Sequence, residues 1–262
     1  MSSAAEFQIG QSYFEAKDYA RSFKIFETLA RSGHVQSQVL LGYLHFNGIG
    51  TAVNHRLARK FYIEASQGGD AGAQHNLANM LLNGHGGPED FEEAHRLLRL
   101  AAGSGLEVAQ AHFALNYLSG TGVSRDIRRG AELLLQYGDE GNAEAQYTLG
   151  NLYAEGSLVK QNWEKAATWW LNAAERGHAL AQLEIGRSFA VSGRGLKVDY
   201  INAYKFLTLS YMAATPGVDE AFELLRDKFT DAMMAQARKH LDEWKPMTGK
   251  GLAFALSSQM LA

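Results

Sequence analysis

The chain has 262 residues, 46% of them hydrophobic and 20% charged, with a formal net charge of −3. That balance excludes a general attraction to nucleic acid or anionic lipid, and the absence of cysteine excludes a disulfide framework and any thiolate metal site. No stretch approaches the roughly 18 apolar residues of a membrane span, and residues 1–6 carry no charged start or apolar run; for a full-length chain a cytoplasmic location is the expectation.

From Phe7 the pattern is helical. Ile9-Gly10 and Tyr13-Phe14 form one apolar stripe, Tyr19, Phe23, Phe26 and Leu29 a second, and the turn between them is short. Residues 7–36 therefore read as a tetratricopeptide-like hairpin. An atypical first hairpin is what a stack of repeats needs as a cap.

A repeat then takes over. Ala73-Gln74, Ala109-Gln110, Ala145-Gln146 and Ala181-Gln182 are spaced 36 residues apart, and Ser37-Gln38 extends the series backwards. Four residues after each Gln comes Gly42, Ala78, Ala114, Gly150 or Gly186. A period of this size with small residues in fixed places predicts tandem helical hairpins, divided here as 37–72, 73–108, 109–144, 145–180 and 181–217.

Within each unit the first helix stops at a glycine pair: Gly48 and Gly50, Gly84 and Gly86, Gly120 and Gly122. Glycine adopts left-handed geometry at little cost, so these pairs are expected to end a helix and reverse the chain. The fourth unit keeps Gly156 but has Leu158 for the second glycine; the fifth has Gly193 and Gly195, displaced by one inserted residue. Asn54, Asp90, Asp126, Asn162 and Asp199 follow as expected N-caps of the second helices. Small residues (Ala58, Ala94, Gly130, Ala166, Ala203) and then large ones (Phe61, Leu97, Leu133, Trp169, Phe206) are expected to fill the space between hairpins. After Thr215-Pro216-Gly217 a single capping helix is expected from about Asp219 to Trp244, within residues 218–245, followed by a tail, 246–262.

These anchors resemble the Sel-1-like repeat family of the tetratricopeptide superfamily. The fourth unit carries the pattern as Ala145-Gln146, Leu149-Gly150, Tyr153, Gly156, Asn162, Lys165-Ala166, Trp169, Ala173-Ala174 and Gly177, and the third supplies Gly120-Thr121-Gly122-Val123 and Asp126. The resemblance covers residues 37–214. It implies an all-α, right-handed α-solenoid of about six hairpins plus the C-terminal cap, acting as a superhelical adaptor or scaffold, commonly bacterial.

In such stacks the first helix of each hairpin lines the concave face. The resulting partner-binding candidates are Tyr43, Phe46, Asn47, His75, Asn79, Asn83, Leu118, Tyr147, Asn151, Glu155 and Arg187. An Asn amide offers a donor and an acceptor, which suits the main chain of an extended peptide, and Asn79 and Asn151 occupy equivalent positions two repeats apart. Against this, Asn47 and Asn83 sit just before glycine, where a local backbone cap is the plainer role. For Tyr43, Phe46 and Tyr147 the plainer role is inter-repeat core, and for Arg187 it is internal pairing with Glu155 or Glu184. On the second helices, Arg56, Arg59, Lys60, Arg96, Arg99, Arg128 and Arg129 are interleaved with acids and read as a solvated face.

No catalytic constellation emerges. The nine histidines form no HExxH, and the glycine pairs lack the preceding strand and the following GK[ST] of a phosphate loop. Ser157-Leu158-Val159-Lys160 matches S-x-x-K but lacks the S-D-N and K-T-G elements. The expectation is a non-enzymatic interaction module with no cofactor and no metal, binding a protein or peptide. The alternatives are a dedicated inhibitor or immunity protein, and more remotely an envelope or β-lactam hydrolase. Self-association through Leu252, Phe254 and Leu256 of the tail is a further expectation.

Overall fold

The computed structural model describes residues 2–156, 160–226 and 228–246. The S-x-x-K serine and the apolar tail lie outside the described residues, as does Leu158. Every regular element among the described residues is helical. They are α1 (Ser3–Glu15), α2 (Tyr19–Arg31), α3 (Val35–Asn47), α4 (His55–Gln67), α5 (Ala71–Leu82), α6 (Phe91–Gly103), α7 (Glu107–Ser119), α8 (Ile127–Asp139), α9 (Ala143–Glu155), α10 (Trp163–Glu175), α11 (Ala179–Ala190), α12 (Tyr200–Met212), α13 (Val218–Phe222) and α14 (Asp231–Glu243), with a 3₁₀ turn at Glu223–Leu225.

The helices fall into two compact units, α1–α7 and α8–α14, divided between Asp126 and Ile127. The first holds the hairpins α1–α2, α3–α4 and α5–α6, followed by α7; the second holds α8, the hairpins α9–α10 and α11–α12, and the C-terminal helices.

Helix starts follow the capping chemistry. The side chains of Asn54, Asp90, Asn162 and Asp199 accept from the amides of Leu57, Glu93, Lys165 and Asn202. Each such cap contributes about 1 kcal/mol. The first helices start two residues ahead of the Ala-Gln or Ser-Gln pair, capped by His34, Asp70, Asn142 and His178. The pair thus lies inside the first turn, and its glutamine has a stacking role. Gln38, Gln146 and Gln182 each reach back to a carbonyl at the end of the preceding second helix, on Ala30 (3.1 Å), Gly138 (2.8 Å) and Ala174 (3.2 Å). Helix-end carbonyls have no partner within their own helix, so this bond ties one hairpin to the next.

The small residue of the first helix has a specific partner. A Cβ on Gly42 would stand 2.7 Å from the Tyr62 ring, one on Gly150 would strike the Trp170 ring, and one on Gly186 would stand 2.8 Å from Leu207. The residue wedged under the first helix is therefore Tyr62, Trp170 or Leu207, one position beyond the expected Phe61, Trp169 and Phe206. Where the first helix has Ala78, the equivalent second-helix residue is Leu98. Both aromatic wedges face a glycine, as a close-packed interior trades volume between facing positions, although Gly186 faces a leucine.

The glycine pairs divide their labour. Gly48, Gly120 and Gly156 end α3, α7 and α9 in left-handed geometry. The second glycine instead lies on the start of the preceding second helix: a Cβ on Gly86 would collide with the His55 carbonyl, on Gly122 with that of Phe91, and on Gly195 with that of Trp163.

The expected capping helix is broken. After α13 and the 3₁₀ turn the chain restarts at α14, because the Thr230 side chain accepts from the Met233 amide and sets a new N-terminus. Phe229 packs on Tyr204, and the Trp244 indole donates to Glu175, which also pairs with Lys205 at 3.0 Å. Two helical segments stand where one helix was expected.

Candidate functional site

Five of the nominated residues converge in the first unit. Tyr43, Phe46 and Asn47 of α3 and Asn79 of α5, with Asn83 just beyond it, line one open cleft of about 290 Å³. Its remaining walls are Tyr62 of α4, Asn76 and Met80 of α5, and His85. Helical spacing brings them together: 76, 79 and 80 share one face of α5, with the C-cap residue 83 next after them, as 43, 46 and 47 share one face of α3.

The cleft is uncharged in composition, since no Asp, Glu, Lys or Arg among the described residues lines it. Tyr43 is 50% exposed and stands at its mouth, whereas Met80 and Tyr62 are buried and form its floor. Burial pushes the Tyr62 phenol up to about 12, partly offset by its hydrogen bond with Asn76, so this group stays neutral. Phe46 stacks on His55 at 4.9 Å and meets His85 edge-on at 5.4 Å, which holds its ring in place.

The asparagines have separate local roles. Asn47 Nδ2 donates to the Tyr43 carbonyl (2.9 Å) and Asn83 Nδ2 to the Asn79 carbonyl (2.7 Å), each bonding back one turn. Asn79 Nδ2 lies 3.3 Å from His75 Nε2, which also contacts His112 Nδ1 at 3.1 Å. His75 therefore sits beside the cleft in a polar chain linking α5 and α7.

The other nominations are placed differently. Leu118 of α7 is only 6% exposed, so contrary to expectation its side chain is core and not a contact residue. In the second unit, Asn151 Oδ1 accepts the Trp170 indole N–H at 2.9 Å, so its amide serves the core. Arg187 pairs with Glu184 at 2.8 Å and donates to the Gly217 carbonyl at 3.2 Å; Glu184 also binds Arg194. The internal pairing, through Glu184, is the arrangement found. Tyr147 stacks on His178 at 4.7 Å, and Glu155 is exposed at the end of α9.

Tyr62, Asn76, Met80 and His85 were not among the sequence candidates. Asn76 had a visible signal, lying three residues before Asn79 on the same helix face. Tyr62 had none, because it belongs to a second helix and enters the cleft only through the gap left by Gly42.

Among the described residues no group of three or more His, Cys, Asp or Glu side chains is placed to hold a metal ion, and no helix is long and apolar enough to cross a membrane. On the second-helix face, Arg96 pairs with Glu93, Lys60 with Glu64 and Arg128 with Glu132, while Arg59 donates to the Pro88 carbonyl.

Comparison with known proteins gives a consistent family result. The Sel1 repeat model matches residues 35–70, 71–106, 108–142, 143–178 and 179–214, well over half the chain. Among solved structures, a Sel1 repeat protein from Oxalobacter formigenes aligns with a TM-score of 0.69 at 22% identity, covering 89% of this chain and 99% of that one. An immunity protein from Pseudomonas aeruginosa aligns with a TM-score of 0.57 at 18% identity, covering 83% of this chain and 86% of that one. At these identities the likeness bears on fold. No curated protein matches.

Proposed function

The chain belongs to the Sel1 repeat family, and from that premise we propose that it is a non-enzymatic protein-interaction module whose first-helix face takes a segment of a partner protein. The observation that carries this reading is the cleft of about 290 Å³ shared by Tyr43, Phe46, Asn47, Asn79 and Asn83. It is concave and largely apolar with a few amides, the composition of a site that holds an anchor residue. Its walls are helices already packed into hairpins, so little ordering cost falls on the protein side when a partner binds.

A photo-reactive residue in place of Tyr43 tests the reading in extract from the source organism, with the same group in place of exposed Arg99 as the control. The expected result is a discrete cross-linked partner from position 43 and none from position 99. Cross-links from position 99 alone, or from neither, overturn it. What the captured partner does separates a general scaffold from a dedicated inhibitor: inhibition of a captured enzyme or toxin by the purified chain specifies the second.

A further inference from the structure

We infer that the cleft between α3, α4 and α5 accepts a guanidinium group, so that the partner's anchoring residue is an arginine. This rests on the reading that the cleft is the contact site, and adds to it the chemistry of the occupant.

The argument starts from the two amides at the rim. Asn47 Nδ2 and Asn83 Nδ2 each donate to a backbone carbonyl, on Tyr43 and Asn79. A carbonyl can only accept, so the orientation of both amides is settled by their partners. Each Oδ1 is left beside the cleft with no donor among the described residues. The rim thus presents two acceptors from equivalent positions of successive repeats.

The same cleft is lined by aromatic rings. Tyr43 is half exposed, Phe46 is held by its histidine neighbours, and the neutral Tyr62 phenol lies at the floor beside Met80. Ring faces carry negative quadrupole density and attract cations. A carboxylate or phosphate could take only the second N–H of each rim amide, and would face the amide oxygens and the ring faces with the wrong polarity. An aliphatic side chain would use the rings but strip water from the amide oxygens without replacing its hydrogen bonds. A lysine ammonium is compact and strongly hydrated. The guanidinium is planar, weakly hydrated, donor-only and suited to stacking, which matches both features at once.

The test uses the full-length chain, isotope-labelled and titrated with N-acetyl-arginine methylamide, and with the lysine, norleucine and glutamate analogues, followed by NMR shifts. The arginine probe should move the side-chain amides of Asn47 and Asn83 and bind about tenfold more tightly than the lysine or norleucine probes, the glutamate probe not binding. Tyr43→Leu should weaken the arginine probe about tenfold, whereas Tyr43→Phe, which keeps the ring face, should stay within about twofold. Norleucine or lysine binding as tightly as arginine, or an arginine probe that leaves the cleft signals unmoved, overturns the inference. In that case cross-linking from position 43 would still stand if the cleft is the contact site; its loss would remove the functional reading and the guanidinium assignment together.

Discussion

Trp170 donates its indole N–H to Asn151 Oδ1 across 2.9 Å, joining the second helix of the fourth repeat to the first. Asn79 occupies the equivalent position two repeats earlier, but the residue beneath that helix is Leu98, which has no N–H to offer. Two asparagines with identical sequence credentials therefore do different work.

Asn151→Leu should destabilise the chain by about 1–3 kcal/mol, because Trp170, only 2% exposed, is left with a buried unsatisfied donor. Asn79→Ala should change stability by less than about 0.5 kcal/mol while weakening partner capture. Urea denaturation beside the cross-linking assay separates the two. Equal stability losses would show that the cleft asparagine is structural as well.

The second glycine of each pair should be intolerant of any side chain. Gly86 has a φ of +76° and its Cβ would collide with the His55 carbonyl, so Gly86→Ala should cost about 2–5 kcal/mol. Gly103 ends α6 with nothing within 4 Å of a Cβ, and Gly103→Ala should be neutral or stabilise by up to about 1 kcal/mol. Thermal unfolding of the pair checks the contrast.

The inter-hairpin glutamines should rank by bond length. Gln146 Nε2 stands 2.8 Å from the Gly138 carbonyl, whereas Gln74 Nε2 is 3.5 Å from that of Ser66. Gln146→Met should cost about 1 kcal/mol and Gln74→Met a few tenths, measured as shifts in denaturation midpoint at constant slope.

Acid should weaken the first unit. Burial holds the His45 imidazole below its ordinary 6.5, Glu27 opposing in part, and burial with the Arg99 charge does the same to His95. The unfolded chain then binds more protons than the folded one as pH drops through about 6.5, so stability falls until the folded imidazoles themselves titrate. His45 is 8% exposed, stacked on Phe61 and edge-on to Phe23. His45→Phe should therefore fold and flatten the decline in denaturation midpoint between about pH 7.5 and 5.5. An unchanged slope would assign the decline to other groups.

The repeat architecture was legible in the sequence because it rests on local rules. N-cap oxygens and glycine stops each act within a few residues and recur at the repeat period, so the positions of Asn54, Asp90, Asn162 and Asp199 along the chain were enough to assign their roles. Boundaries were less sharply marked. The first helices begin two residues before the glutamine pairs, since His34, Asp70, Asn142 and His178 supply the caps. The C-terminal stripe hid the new start at Thr230.

The sequence by itself determined the helical hairpins and the face on which a partner contact was to be sought, because a 36-residue spacing and helical periodicity are properties of the chain alone. Only the tertiary structure decided which nominated residues meet. Tyr62 reaches the cleft through the space at Gly42, on the other helix of the same hairpin. Leu118 turns inward, and Asn151 is taken by an indole that Asn79 lacks. Those outcomes depend on the volume and hydrogen-bonding capacity of the facing helix, and no window along the chain contains both sides of such a contact.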